Sequence, residues 1–127
     1  MPGNVRCVRF VARLAALIMA GGMSAALAAE PYVGLWAKDP KDCASKTVPP
    51  LTKVDEGGAY WGEFYCPSAT FTPDGASWIV HVDCQDPMAG PSDDDPSFDY
   101  RFSVIDDKLH WDPVGEGTGT VLQRCPG

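Results

Sequence analysis

Two histidine–aspartate patterns are the residues whose types and spacing could do chemistry. His81 precedes Asp83 by two positions, and His110 precedes Asp112 by two. Residues two apart on a strand share a face, so two neighbouring strands of this kind could hold zinc or copper through imidazole and carboxylate ligands. The alternative is that both pairs are solvated outer positions, with the intervening apolar residues facing inward. We favour the second interpretation and predict no metal site and no cofactor.

An acidic run offers a second candidate ion site. Asp93, Asp94 and Asp95 are consecutive, and Asp99 follows shortly after them. The spacing lacks the alternating ligands, the turn glycine and the terminal glutamate of an EF-hand loop. We therefore interpret residues 85–97 as an irregular, solvated acidic loop.

Nucleophilic catalysis has little support in the sequence. There is no G-x-S-x-G pattern, and the chain contains only two histidines, one of which a serine triad would need as its base. Glu63 with an aspartate could mimic a glycosidase pair, but acidic residues are so frequent that the coincidence carries little weight. We predict that the protein is not an enzyme.

The first 28 residues have the three regions of a secretory signal peptide. Arg6, Arg9 and Arg13 form a positive segment, an apolar run follows, and small residues stand at the positions read by signal peptidase before Ala29. We predict cleavage after residue 28, with cleavage after Ala29 as the alternative. The mature chain, residues 29–127, would then be a single disulfide-bonded β domain in the periplasm or secreted.

The mature chain is strongly acidic. The formal charge of the whole chain is −7, and removing the three leader arginines leaves −10. Such a charge disfavours nucleic acid and anionic membrane surfaces, and it favours a cationic protein target. The alternative is that acidity only keeps a small exported protein in solution. We expect a monomer that does not associate with the membrane once the signal is removed.

Four cysteines remain in the mature chain, and an even number in a short exported domain indicates two disulfides. A three-residue loop at 74–76 would place Cys66 directly opposite Cys84 on antiparallel strands, within reach of a disulfide. Nearby prolines could shift that register by one residue. The pairing leaves Cys43 with Cys125, which would tie the beginning of the mature chain to its end.

Short alternating segments separated by turn residues indicate extended structure through most of the mature chain. The expected strands are residues 32–37, 59–66, 69–72, 77–84, 98–104, 109–112 and 120–125. Residues 39–46 are expected to form one short helix, because an aspartate and a proline stand at its start. The predicted fold class is all-β, a small antiparallel β-barrel or sandwich with one short helix and two disulfides.

The two ends of the mature chain carry a family resemblance. The segment Tyr32-Val33-Gly34-Leu35-Trp36 and the late Gln123-Arg124-Cys125 resemble the first and last strands of calycin-type, lipocalin-like barrels. The resemblance implies that Trp36 plugs one barrel end, with Gly34 before it, and that Arg124 packs across the indole. The serine-glycine-tyrosine loop of lysozyme inhibitors and the N-terminal arm of protease inhibitors are not found in the sequence.

Among such barrels, the chain is most similar in layout to periplasmic metalloprotease inhibitors and, more loosely, to lipocalins and c-type lysozyme inhibitors. The resemblance implies an exported binding module, such as an inhibitor of a cationic or hydrolytic enzyme. The alternative is a periplasmic protein that binds a small ligand or a metal ion. A packed interior would favour the inhibitor and an open one the carrier.

Overall fold

The computed structural model describes residues 29–127, which are all-β apart from one short 3₁₀ helix. The predicted signal peptide lies outside the described residues and stays a prediction. The strands are β1 Gly34–Ala37, β2 Thr52–Val54, β3 Ala59–Trp61, β4 Phe64–Cys66, β5 Ser68–Asp74, β6 Ser77–Asp83, β7 Ser97–Ile105, β8 Lys108–Pro113 and β9 Thr120–Arg124. In the described part of the chain, no helix has the length and apolar character needed to cross a membrane.

The strands form one antiparallel sheet in the order β4-β3-β2-β1-β9-β8-β7-β6-β5, which curls into a nearly closed barrel. Its two edge strands, β4 and β5, are consecutive in the chain and meet at Pro67, which cannot donate a ladder hydrogen bond. Two main-chain hydrogen bonds join the two halves of the sheet across this gap. The amide of Gln85, after β6, donates to the carbonyl of Tyr65 in β4 at 2.9 Å, and the amide of Ala69 in β5 donates to the carbonyl of Gly57, between β2 and β3, at 2.8 Å. The fold is therefore a barrel rather than a sandwich.

The expected continuous strand over residues 59–66 is wrong, because the segment is a hairpin. Trp61 pairs with Phe64 across a two-residue turn made by Gly62 and Glu63. Gly62 has φ of +50°, a conformation that glycine adopts at little cost. The alternation of residue types continued through the turn, so periodicity alone did not reveal the reversal. The three-residue strand β2 was also missed, because it is too short to show a period.

The barrel interior is filled by apolar side chains from every side of the sheet. Strand β6 shows the alternation: Val80 and Val82 are fully buried, whereas His81 and Asp83 are exposed, as the sequence indicated. Further fully buried core residues are Trp36, Val54, Ala59, Cys66, Phe102 and Leu109. Burying one large aliphatic or aromatic side chain is worth about 1.5–3 kcal/mol, so this interior is the main source of stability.

The predicted helix over residues 39–46 is present as a shorter 3₁₀ helix, Pro40–Ala44. Asp39 caps it, and its carboxylate accepts a main-chain hydrogen bond at 3.0 Å. Lys46 lies outside the helix, in the left-handed region with φ of +59°. The helix carries Cys43, whose disulfide to Cys125 links the segment after β1 to the residue after β9.

Both predicted disulfides are confirmed, but the register used to infer one of them is wrong. Asp74 pairs with Ser77 across a two-residue turn, so β5 and β6 are offset by one residue from the expected pairing. Cys66 and Cys84 still bond, with Cα atoms 3.8 Å apart. The reason is that Pro67 ends β4 before β5 begins, so Cys66 does not follow the register of the β5–β6 ladder.

Candidate functional site

One end of the barrel is sealed by Trp36 and Arg124, which the structure brings together. The guanidinium carbon lies 4.3 Å from the centre of the fully buried indole ring. The indole N–H donates to the carbonyl of Tyr32 at 3.0 Å. Arg124 donates from Nη1 to the carbonyl of Val33 at 3.1 Å and from Nη2 to that of Pro31 at 2.5 Å. The arginine therefore holds the segment before β1 across the barrel end.

Two further contacts complete the sealed end. Nε of Arg124 donates to the carboxylate of Asp107, in the β7–β8 turn, at 2.6 Å. Gly34 has φ of +152°, and a Cβ there would stand 3.0 Å from Nη1 of Arg124. A side chain at position 34 would thus crowd the guanidinium. Nε, Nη1 and Nη2 of Arg124 thus all donate to groups of the protein itself. We therefore assign a structural role to this end of the barrel.

The opposite end of the barrel is open and surrounded by aromatic side chains. We call it the aromatic mouth, and it consists of Trp61 and Phe64 from the β3–β4 hairpin, Phe98 and Tyr100 from β7, and Trp111 from β8. The ring centres of Trp61 and Trp111 are 4.8 Å apart, those of Tyr100 and Trp111 are 5.2 Å apart, and those of Phe64 and Phe98 are 5.4 Å apart. Phe64 is 42% exposed, so the cluster reaches solvent.

A cavity of about 200 Å³ opens within the mouth. Its lining residues are Thr52, Trp61, Tyr100, Trp111, Thr120 and Leu122. Three aromatic side chains, two threonines and one leucine therefore form a small site in which tyrosine is the only ionisable type. Pockets for drug-sized ligands occupy about 300–1,000 Å³, so this one suits a single side chain.

The phenol of Tyr100 stays protonated in this setting. Burial raises the pKa of Tyr100 above its ordinary value of 10.0, and a hydrogen bond with Trp111 opposes that rise. The charged form is disfavoured because a phenolate would lose hydration inside the apolar mouth. The mouth therefore presents a neutral hydroxyl at physiological pH.

An open groove of about 500 Å³ borders the mouth on the outer side of the β3–β4 hairpin. Phe64 belongs to both features. Val48, Tyr65 and Pro87 add apolar surface to the groove, and Phe64 and Tyr65 are exposed. Lys53 and Glu63 also line the groove, so its surface is partly apolar and partly charged.

The two histidine–aspartate pairs do not meet. β7 lies between β6, which carries His81, and β8, which carries His110. His81 instead contacts Asp99 on β7, with 2.7 Å between Nδ1 and Oδ1, and Asp83 at 3.3 Å from Nε2. The hydrogen bond with Asp99 is the main reason that the pKa of His81 is raised above 6.5; burial opposes the rise, and Asp83 adds to it. Within residues 29–127, no group of three or more metal-binding side chains is arranged to hold an ion.

The acidic loop uses several of its side chains to fold its own backbone. Oδ1 of Asp86 accepts from the amide of Met88 at 2.8 Å, and Oδ2 of Asp95 accepts from the amide of Ser92 at 2.7 Å. Local bonds of this kind stabilise turns. They account for part of the aspartate content of the segment without any ligand.

The aromatic mouth is the feature that sequence reasoning missed. Its rings were interpreted as core filling, because aromatic residues in a small β protein usually pack inside. The clustering of aromatic residues around the β3–β4 turn was the signal that could have indicated it. In comparisons with protein-family models, curated proteins and solved structures, no match to this chain was found.

Proposed function

We propose that this protein is an exported binding module that attaches to a cationic protein through its aromatic mouth. The observation that carries the proposal is the exposed Phe64 beside the small cavity and the neighbouring groove. Exposed aromatic side chains around a pocket are typical of protein-interface centres, where they contribute most of the binding energy. The mouth gives such a centre, and the groove extends the contact area beyond it.

The charge of the mature chain supports the choice of a cationic target. A formal charge of −10 produces a negative potential around a small domain and raises the rate of encounter with basic proteins. The effect weakens as salt increases, because surface charges are screened beyond about 8–10 Å at physiological ionic strength. If the target is a hydrolytic enzyme and binds with its active site facing the mouth, the module would block access to that active site and inhibit the enzyme.

The alternative functions have less support from the structure. The interior is packed at Trp36 and Phe102, and the remaining cavity of about 200 Å³ is below the range for drug-sized ligands. A carrier of a large apolar molecule therefore fits this barrel less well than a module that accepts one side chain. The separation of His81 from His110 removes the geometry on which a two-strand metal site would depend. The proposal involves no catalytic step.

The two disulfides fit an oxidising compartment, since such bonds persist outside the cytosol. Together with the predicted signal peptide, they support a periplasmic or secreted location. The module would act there as a monomer, with the mouth facing its target.

The proposal is tested by affinity capture from the exported fraction, using three forms of the protein as bait. The variant Phe64→Ser removes the exposed ring of the mouth. The matched control Ile105→Ser changes an apolar residue of similar exposure, 53%, at the sealed end. We expect a basic protein to be retained by the natural chain and by the control, to be lost from Phe64→Ser, and to be retained less at high salt.

Activity assays of the captured protein then decide whether binding also inhibits. Capture of the same proteins by the natural chain and by Phe64→Ser would contradict the proposal. Capture of a predominantly acidic protein would contradict the electrostatic part of it.

A further inference from the structure

We propose that the cavity of the aromatic mouth is a cage for an ammonium group, filled by a lysine side chain of the target. This inference rests on the proposed function and names the anchor that the target would insert. It follows from the shape of the walls, the polar groups of the lining and the placement of charge.

The walls of the cavity face in different directions. The ring planes of Trp61 and Trp111 meet at 64°, those of Trp61 and Tyr100 at 87°, and those of Tyr100 and Trp111 at 65°. The same pairs have centre-to-centre distances of 4.8, 5.8 and 5.2 Å. At these distances the rings are in edge-to-face contact with one another, so an ammonium would sit in the cavity that all three rings line, close to more than one ring as in an aromatic cage. A planar guanidinium instead stacks on the face of one ring, and at the other end of the barrel Arg124 lies over the single ring of Trp36.

The lining also matches the donors of an ammonium group. Three of the lining residues, Thr52, Tyr100 and Thr120, carry a hydroxyl group, and a hydroxyl oxygen can accept a hydrogen bond. A lysine ammonium has three donors and must replace its hydration shell when it enters a protein. Leu122 supplies apolar surface for the methylene stem, which lysine side chains characteristically bury.

The placement of charge leaves the cavity open to a cation. Arg124 is held at the sealed end, and Arg101 donates to Asp74 at 2.7 Å, so neither enters the mouth. Neither lysine nor arginine occurs among the lining residues of the cavity. Glu63, two residues after Trp61 in the β3–β4 turn, lines the neighbouring groove together with Lys53, and neither belongs to the cavity lining.

The test uses a small probe pair in place of the unidentified target. Nα-acetyl-lysine N-methylamide carries the ammonium, and the corresponding norleucine amide has a side chain of four carbons without it. Binding to the oxidised protein is measured by NMR titration, following the indole N–H signals. We expect the lysine probe to bind at least tenfold more tightly than the norleucine probe, with shifts at Trp61 and Trp111, because cation–aromatic attraction is strongest in desolvated sites.

Two variants locate the effect. Trp61→Leu keeps an apolar side chain but removes one wall, and Thr120→Val removes one hydroxyl with little change of shape. We expect the first to abolish the lysine preference and the second to reduce it several-fold. Trp78→Leu is the matched control, because this partly buried indole packs against Tyr32, 5.0 Å away, and should leave the preference unchanged.

Equal binding of the two probes, or no binding of the lysine probe, would overturn the cage. A lysine preference that survives Trp61→Leu would do the same, because the ammonium would then bind elsewhere. Failure of the cage is distinguishable from failure of the proposed function. In the first case the target is still captured in a manner that depends on Phe64, but the lysine probe does not bind the mouth. In the second case capture does not depend on Phe64.

Discussion

Replacing Arg124 by alanine should destabilise the protein far more than an ordinary surface substitution. The side chain of Arg124 is only 30% exposed. It covers the buried indole of Trp36 and donates to the carbonyls of Val33 and Pro31. Alanine removes all of these contacts at once and uncovers one end of the core. The segment before β1 would lose its main polar attachment to β9.

The magnitude can be built from the separate contacts. A cation over an aromatic ring contributes about 0.5–2 kcal/mol, depending on desolvation. Hydrogen bonds that involve a charged group contribute about 1.5–3 kcal/mol each, and partial exposure favours the lower end. The pair with Asp107 adds little, because its carboxylate is 70% exposed and exposed ion pairs contribute about 0–1 kcal/mol. We therefore expect Arg124→Ala to lower the free energy of unfolding by about 3–4 kcal/mol.

Urea unfolding of the oxidised protein, followed by far-UV circular dichroism, measures this change by linear extrapolation. Arg124→Lys should lie between the natural protein and Arg124→Ala, since it keeps the charge but loses the two-pronged contact with the carbonyls. Asp107→Ala is the matched control and should cost less than about 1 kcal/mol. If Arg124→Ala costs no more than this control, then Arg124 does not stabilise the sealed end and the reasoning is refuted.

Two further predictions concern the disulfides and His81. The disulfide between Cys43 and Cys125 spans 82 positions, whereas the one between Cys66 and Cys84 spans 18. Chain entropy predicts that replacing both cysteines of a pair by alanine lowers the free energy of unfolding by about 4.5 kcal/mol for the first pair and about 3 kcal/mol for the second. Urea unfolding that ranks the two losses in the opposite order would contradict this prediction. In an NMR pH titration, His81 should titrate above 6.5 in the folded protein, and Asp99→Asn should lower this pKa more than Asp83→Asn does. Because the folded pKa is raised, the stabilisation from protonated His81 is complete below pH 6.5 and is lost as pH rises through the folded value. Equal effects of the two variants on the pKa would show that the bond to Asp99 is not the main cause.

Much of the fold could be predicted from patterns that are local in the chain. The alternation in β6 and β7 identified both the strands and their buried faces, because side chains of a strand point alternately to its two sides. The Asp39 cap followed by Pro40 identified the helix, although its length and type differed. The turn at Gly62 was missed because aromatic residues continued the alternation through it.

The candidate site could not be predicted in the same way, because its parts come from distant segments. Trp61, Tyr100 and Trp111 lie on β3, β7 and β8, and these strands face one cavity only after the sheet has curled. Aromatic composition is the same whether rings fill a core or line an opening. The histidine–aspartate pairs show the opposite case. Their spacing in the sequence is compatible with one shared metal site, but β7 lies between the strands that carry His81 and His110.

The sequence by itself determined the properties that depend only on residue type or on neighbouring positions in the chain. These are the acidic charge, the four cysteines that follow residue 28, and the Gly34-x-Trp36 pattern with a late Arg124. The tertiary structure alone decided closure of the barrel at Pro67 and the opening of the aromatic mouth. The physical reason is that pairing between strands, such as β1 with β9, depends on the packing of the whole core and has no counterpart in local spacing.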